Sequence, residues 1–386
     1  MNRELTGKNQ TYARTMNNQA VIEMLRKQDC SATFLADNLN LSNAAMSSIL
    51  RRLKSSGIIR ISHALAHCSK GRKQLFYSLN PDFGIFIIVE LSNNRYTITL
   101  SNLKEESLIS HTKEIEYYNA EIIYEIILAI KSILGQEEYR HIPVKNIMIA
   151  VPGKVNEITE ELQLSKQFDP NLFEENNKII TLFKTHFDVP VYMQNDTNLA
   201  IVGERRRGKL SSISDGMLAY LDNGIGASFI FKDDFYRGTS GYAGEIGLMK
   251  AVFDGKENYL DEFVSLRALK EHVGKEKKRK IKTEELIGIY EREEPVREYI
   301  RSTARLFGKK LREIVEILDI SKIVITGRIV RFGEDYLKCV REEVMKSQNI
   351  CEVEFSHLNG KSIFIGAISV AVDHLIESLL NEKVRV

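Results

Sequence analysis

The chain is 386 residues long, 43% hydrophobic and 27% charged, with a net charge of +2; at a prior of about 150 residues per domain that is two or three folding units rather than one core. No run approaches the roughly 18–20 uninterrupted apolar residues of a membrane span, and residues 1–19 lack the apolar centre of a signal peptide, so a soluble, cytoplasmic protein with no membrane partner is expected. The four cysteines, Cys30, Cys68, Cys339 and Cys351, are scattered without a CxxC pair, which argues against a disulfide framework or a cysteine zinc site.

The small net charge hides a division: residues 1–80 hold 12 Lys/Arg against 4 Asp/Glu, for +8, and the remainder holds 42 against 48, for −6. A basic head on a mildly acidic body is what phosphate neutralisation by one domain requires. Three helical patterns come first. Val21, Ile22, Met24 and Leu25 mark one; Ser31 is placed to cap a second, in which Phe34, Leu35 and Leu39 recur at helical spacing; Ser42 is placed to cap a third. In the third, Ala45, Met46, Ile49, Leu50 and Leu53 share an apolar face, leaving Asn43, Ala44, Ser47, Ser48, Arg51 and Lys54 outward. Small polar residues at the front of a helix, followed one turn later by arginine, suit contact with base edges first and phosphates after.

Gly57 ends this helix, and residues 58–61 and 74–79 read as strands on either side of the basic tip 69–73. Strand, basic tip and strand make a wing, able to set Arg72 against a backbone or in a minor groove. Residues 1–80 therefore read as a winged helix-turn-helix for a double-stranded DNA operator, with Asn43, Ala44, Ser47, Ser48, Arg51, Arg52, Gly71, Arg72 and Lys73 as contact residues. The competing reading makes the tip an ordinary solvated turn and the helices a protein-docking module. His63, His67 and Cys68 have the look of a metal half-site, but no fourth ligand is near, and no metal is expected.

From residue 81 onward the pattern changes to α/β. A buried strand at 83–91 leads through Ser92-Asn93-Asn94 into an alternating strand at 96–100, and a similar unit recurs about 130 residues later, 217–221 through Asp222-Asn223-Gly224-Ile225-Gly226 into 227–231. Helical and strand patterns follow, for example 120–134 and 146–151, and further helices at 295–318 and 366–380 are expected to pack against the second copy. Two such halves with a cleft between them describe an actin-like, RNase H-like architecture in two lobes. The expected division is 1–80 for the head and 81–386 for the body, with lobes of roughly 81–195 plus the C-terminal helix and 196–365.

Val151-Pro152-Gly153-Lys154-Val155, Asn195-Asp196 with Asn198 and Gly203-Glu204, Gly224-Ile225-Gly226, Tyr236-Arg237-Gly238 through Ala243-Gly244-Glu245-Ile246-Gly247, Ile325-Thr326-Gly327 and Ile365-Gly366-Ala367 stand in an order and spacing that resemble the ROK family. Its members are bacterial sugar kinases and, when they carry a winged helix, sugar-regulated repressors. The resemblance implies that Asp196 matches the kinases' general base for the sugar hydroxyl, that Asn195 and Glu245 match sugar ligands, that Gly153 lies in the sugar site, and that Asp261 replaces a sugar-binding glutamate. It also implies a dimerising body, with a homodimer or tetramer on inverted half-sites.

The departures from the family pattern point away from catalysis. Kinases of this family carry an aspartate, two glycines, a threonine and a lysine in the first turn, where glycines let backbone N–H groups approach phosphates. Here the run is Glu90-Leu91-Ser92-Asn93-Asn94-Arg95, without a glycine. The family's zinc motif is missing as well: Leu248 stands for its histidine, and residues 249–265 contain no cysteine. The expectation is a repressor of carbohydrate-metabolism genes, not an enzyme, with no cofactor, modulated by a sugar or sugar phosphate. The alternatives are a sugar-unresponsive DNA-binding protein with a vestigial body and an ATP-dependent sugar kinase. The run 274–280, rich in lysine, reads as a solvated helix connection.

Overall fold

The computed structural model describes residues 4–65, 74–92, 94–156, 159, 161–165, 167–174, 178–239 and 241–382. Gly71, Arg72 and Lys73, and with them His67, Cys68 and Asn93, lie outside the described residues.

Helix α1 (Glu4–Lys27) extends far upstream of the apolar pattern around Val21, and its last turns bury Val21, Ile22 and Leu25. A short strand, β1 (Cys30–Ser31), leads to α2 (Ala32–Asn38) and α3 (Asn43–Ser55). Each expected cap is in place: Ser31 Oγ accepts from the Phe34 N–H at 3.2 Å and Ser42 Oγ from the Ala45 N–H at 3.2 Å, satisfying donors that a helix start leaves without partners. Gly57 turns the chain at φ +79°, a conformation that an L side chain resists. Strands β2 (Ile59–Leu65) and β3 (Gln74–Leu79) pair antiparallel, with β1 on the far side of β3. A two-residue strand such as β1 carries no period, so its pairing is visible only in three dimensions.

The next sheet is built from β4 (Ile85–Ser92), β5 (Arg95–Ser101), β6 (Ser107–Glu114), β7 (Val144–Val151) and, after a small hairpin of β8 (Lys154–Asn156) and β9 (Glu161–Leu164), β10 (Val191–Asn195). Helices α4 (Ala120–Leu134) and α5 (Ile179–His186) connect them, and α6 (Asp196–Arg207) follows directly on β10. A further sheet contains β11 (Gly216–Leu221), β12 (Ile225–Phe231) and β13 (Asp234–Tyr236). The hairpin of β14 (Lys250–Phe253) and β15 (Lys256–Tyr259) and helices α7 (Asp261–Val264), α8 (Leu266–Lys277), α9 (Thr283–Arg292) and α10 (Glu294–Leu318) separate these from β16 (Lys322–Thr326). Then come α11 (Gly333–Val344), β17 (Glu352–Phe355) and α12 (Ser362–Glu382).

The two sheets have one topology. Their orders are β10-β7-β4-β5-β6 and β17-β16-β11-β12-β13, and in each the central strand, β4 or β11, pairs antiparallel with the next strand in the chain, β5 or β12, and parallel with β7 or β16. The repeat in the sequence is thus a repeat of whole α/β lobes. Ile85, Phe86, Ile87, Ile88 and Val89 are all fully buried because helices cover both faces of a parallel strand.

Helix α12 decides between two expectations. It packs on α6, β7 and β4, as its grouping with the first lobe requires and against the packing of 366–380 on the second copy, and it starts at Ser362. Its stretch Ser362–Leu379 is apolar and long enough to cross a membrane by composition, but over half of it is buried in the protein, and Asn146 Nδ2 donates to the Ala371 carbonyl at 2.8 Å. It is a core helix. One continuous apolar cluster joins Leu25, Leu53 and Leu79 of the head to Phe86, Leu199 and Ile368 of the body, so the head is docked rather than tethered.

Candidate functional site

On α3, Met46, Ile49, Leu50 and Leu53 are buried, and Asn43, Ala44, Ser47, Ser48, Arg51 and Lys54 are exposed. The apolar stripe fixes the helix against the head and leaves one small, polar, basic face open. Arg52 is a correction to the sequence reading. Its Nη2 donates to Asn18 Oδ1 of α1 at 2.5 Å, and Asn18 is only 3% exposed. A guanidinium spent on a buried amide packs the head together and is not part of the open face.

The carboxyl ends of β4, β7, β10 and β11, the usual place for ligands in a parallel α/β sheet, bring Glu90, Asp196 and Asp222 close enough for their charges to act on one another. Asn195, last in β10, caps α6: its Oδ1 accepts from the Asn198 N–H at 3.0 Å, and its Nδ2 donates to the Gly153 carbonyl at 2.8 Å. Both ends of the amide are therefore used to hold the segment after β7 against α6. Gly153 turns at φ +122°. Asp196 opens α6, and its Oδ1 accepts from the Thr197 N–H at 2.7 Å and lies 3.3 Å from Thr197 Oγ1, which leaves Oδ2 as the acceptor for a hydroxyl. The second turn closes on the same helix end, since a Cβ on Gly226 would lie 3.1 Å from Thr197 Oγ1.

Glu245 and Asp261 belong to the other lobe. Gly244, at φ +99°, lies so close to β12 that a Cβ would sit 1.8 Å from the Ala227 carbonyl, and a Cβ on Gly247 would sit 2.8 Å from the Ile225 carbonyl and 3.4 Å from Asp261 Cβ. Glu245 is exposed. Asp261 Oδ2 takes Arg267 Nη2 at 2.9 Å, while its Oδ1 is buried without a hydrogen-bond partner. The structure thus joins Gly153 to Asn195, with Asp196 next in the chain, and in the second lobe sets Asp261 against Gly224 and against Gly247, two residues beyond exposed Glu245. Among the described residues no hydrogen bond or ion pair joins the two groups.

Protein surrounds the carboxyls of Asp196 and Glu90, and desolvation is the main cause that pushes each up to about 7. The charge of Asp222 adds to the rise at Asp196, and that of Asp196 to the rise at Glu90, where Arg95 opposes it. Burial, with the charges of Asp222, Asp196 and Glu90, also holds the Tyr220 phenol well above its ordinary range.

The first turn joins Ser92 to Arg95, which pair across β4 and β5. The Tyr118 hydroxyl lies 2.8 Å from the Ser92 carbonyl and 2.7 Å from that of Arg95, and its buried ring stacks on Phe168 at 4.6 Å. The Tyr118 phenol thus ties the last residue of β4 to the first of β5. Among the described residues no three His, Cys, Asp or Glu side chains group as a metal site. Leu248, in place of the family histidine, is 54% exposed.

Arg328 is a residue that sequence reasoning missed. It follows Gly327, whose φ of +93° and near-contact with the Leu221 carbonyl turn the chain toward Asp222. The matched motif Ile325-Thr326-Gly327 stops one position short of it. Lys270, bonded to Asn223 Oδ1 at 2.9 Å, was equally invisible, because nothing in a helix pattern says which loop it faces.

A family model described as the ROK family matches residues 88–374. A xylose repressor from Caldicellulosiruptor bescii is 24% identical over 95% of this chain and 98% of its own length, and a xylose repressor from Bacillus subtilis is 22% identical over 96% and 98%. Among solved structures, a ROK family transcriptional regulator, homolog of the E. coli MLC protein, superposes with a TM-score of 0.79 over 96% of this chain and 99% of its own, at 18% identity. A ROK family glucokinase from Streptomyces griseus, solved with glucose and AMPPNP, superposes with a TM-score of 0.64 over 75% of this chain and all of its own, at 19% identity. At such identities the superpositions speak for the fold.

Proposed function

The chain belongs to the ROK family, and from that premise we propose that it is a sugar-responsive transcriptional repressor in which residues 1–80 read an operator and residues 81–386 hold a sugar without phosphorylating it. The observation that carries this reading is the contrast inside the cleft. Asn195 locks the Gly153 loop to the start of α6 and leaves Asp196 Oδ2 to accept a hydroxyl, while the turn after β4 has no glycine and its flanking Ser92 and Arg95 carbonyls are held by Tyr118. A cleft of this kind keeps the means to bind a polyol and lacks the means to align ATP.

Asp196 Oδ2 accepts sugar hydroxyls, and Asn195 fixes the loop at Gly153; Glu245 and Asp261 close on the sugar from the second lobe. Asn43, Ala44, Ser47, Ser48 and Arg51 face base edges and phosphates, with Gly71, Arg72 and Lys73 of the wing beside them. The body pairs the heads on inverted half-sites, as a dimer or tetramer. Similarity to xylose repressors over nearly the whole chain supports the partnership of head and body and makes D-xylose the first effector to try.

The test is an operator titration with and without D-xylose, extended to a sugar panel selected by thermal shift. Sugar should weaken wild-type binding about 5- to 150-fold, the usual span of an allosteric coupling. Asp196→Ala should bind operator normally and ignore the sugar. Wild-type affinity that no sugar in the panel changes would reject the sensor.

A further inference from the structure

We propose that α6 is the strut through which the state of the cleft reaches the DNA-binding head, and that its far end acts on the head through a six-charge joint made by Glu23, Arg26, Glu105, Arg206, Arg207 and Asp373. The inference rests on the cleft reading above, since Asp196 and Asn195 form the near end of the same helix.

The ten residue steps from Asp196 to Arg206 span about 15 Å of helix. In the last turn, Arg206 Nη1 donates to Glu23 of α1, and Arg206 Nη2 donates to Asp373 of α12 at 3.0 Å. Arg207 Nη2 donates to Glu105 Oε2 at 2.8 Å. Arg26 of α1 completes the joint, with Nη1 at 2.8 Å from Glu23 and 2.8 Å from Asp373, and Nε 3.5 Å from Glu105. Three cations meet three anions from four parts of the chain, so the joint is neutral as a set and charged if any member withdraws.

Two features mark it as more than a surface ion-pair patch. The Arg26 and Glu105 side chains are only 6% and 4% exposed, and Glu105 is held at φ +62°, a backbone conformation costly for a glutamate. Yet the joint is loosely bonded: Arg26 Nε faces Glu105 Oε1 at 3.5 Å as an ion pair without a hydrogen bond, and Arg26 Nη2 is buried without a hydrogen-bond partner. A partly satisfied buried network gives up less bonding when its partners rearrange than a fully satisfied one.

The strut itself is stiff. A Cβ on Gly366 would lie 1.7 Å from the Leu199 carbonyl, and one on Gly203 would lie 2.0 Å from the Ser362 carbonyl, so α6 and α12 touch backbone to backbone. Glu204 is fully buried and accepts from Ser362 Oγ at 2.7 Å, and Asn198 accepts from Ser228 Oγ of β12 at 2.9 Å. Motion of either lobe at the helix start is therefore carried to the joint.

Hydrogen exchange of the full chain tests this without needing an effector. Asp196→Asn changes the cleft end, and exchange is followed in residues 18–27 of α1. Exchange there should change by roughly fivefold or more, the low end of allosteric coupling, and the change should vanish when Arg206→Gln is added. Glu23→Gln, at a half-exposed position that folding tolerates, should act as Arg206→Gln does. Saturating D-xylose on the wild type should reproduce the response, and Arg206→Gln should bind D-xylose as wild type does by calorimetry. An α1 response that survives both joint variants overturns the proposal, as does the absence of any response to Asp196→Asn. If D-xylose fails to bind while the Asp196→Asn response follows the joint, the strut stands and the sugar assignment falls.

Discussion

Arg328 forks onto Asp222, its Nε 2.9 and 3.1 Å from the two carboxylate oxygens and its Nη2 2.5 Å from Oδ1. This pair compensates the Asp222 charge at the mouth of the second lobe, while Asp196 and Glu90 have no such fork. The chemistry of the cleft, and its response to pH, therefore centres on those two carboxyls.

Folded-state values of about 7 for Asp196 and Glu90 mean that the native protein keeps protons that the unfolded chain releases near pH ~4. The stabilisation is complete below about pH 4 and is lost as pH rises through about 7. Asp196→Asn, which cannot ionise, should therefore stabilise the protein at pH 8 by up to about 4 kcal/mol and change little at pH 4. Melting temperatures of both proteins at the two pH values check this. Equal shifts at both would mean that Asp196 titrates as an ordinary carboxyl.

Neighbouring arginines on α3 should behave in opposite ways. Arg51 is exposed and Arg52 is bonded to buried Asn18. Arg51→Ala should leave the melting temperature unchanged and weaken operator binding by about 1–3 kcal/mol. Arg52→Ala should destabilise the protein by about 1–3 kcal/mol through the unpaired amide it leaves behind. Fluorescence anisotropy on operator DNA and thermal melts separate the two, and the reverse assignment would show that the face has been drawn on the wrong side of the helix.

Incubation with ATP and D-xylose should yield no sugar phosphate by phosphorus NMR, because the first turn has no glycine to let N–H groups approach phosphate. Turnover that disappears in Asp196→Asn would reverse the assignment to a kinase. Tyr118→Phe should not create activity; it should cost about 1 kcal/mol of stability, since the Ser92 and Arg95 carbonyls lose the one proton they share.

Gly366→Ala tests the backbone contact between α6 and α12. The added Cβ would fall 1.7 Å from the Leu199 carbonyl, an overlap that no rotamer relieves, so the helices must separate. A loss of roughly 3 kcal/mol or more is expected, against little change for Gly360→Ala in stability beyond its left-handed φ, where nothing lies within 4 Å. Circular dichroism melts of the two variants distinguish contact from conformation.

Much of this molecule is local and can be read from the chain alone. Ser31 and Ser42 announce their helices because a cap hydrogen bond spans three residues, and the apolar side of α3 follows from helical period. The two lobes are legible because a strand buried on both faces must be continuously apolar, and that pattern occurs twice. Asn195 and Asp196 stand out through the resemblance to the ROK family, and the structure places them where β10 ends and α6 starts.

Tertiary structure alone decided the rest, and the reason is distance along the chain. The partner of Arg328 lies 106 residues away, that of Arg206 in α1 lies 183 away, and that of Asn146 lies 225 away. Periodicity and propensity constrain neighbours within a turn or a hairpin, whereas charges meet where the lobes close. Arg52 was misplaced for the same reason, since the next residue round the helix differs by what α1 puts opposite it. Helix α12 has the composition of a span or of any core helix, and only the backbone contact with α6 through Gly203 and Gly366 shows which lobe it closes.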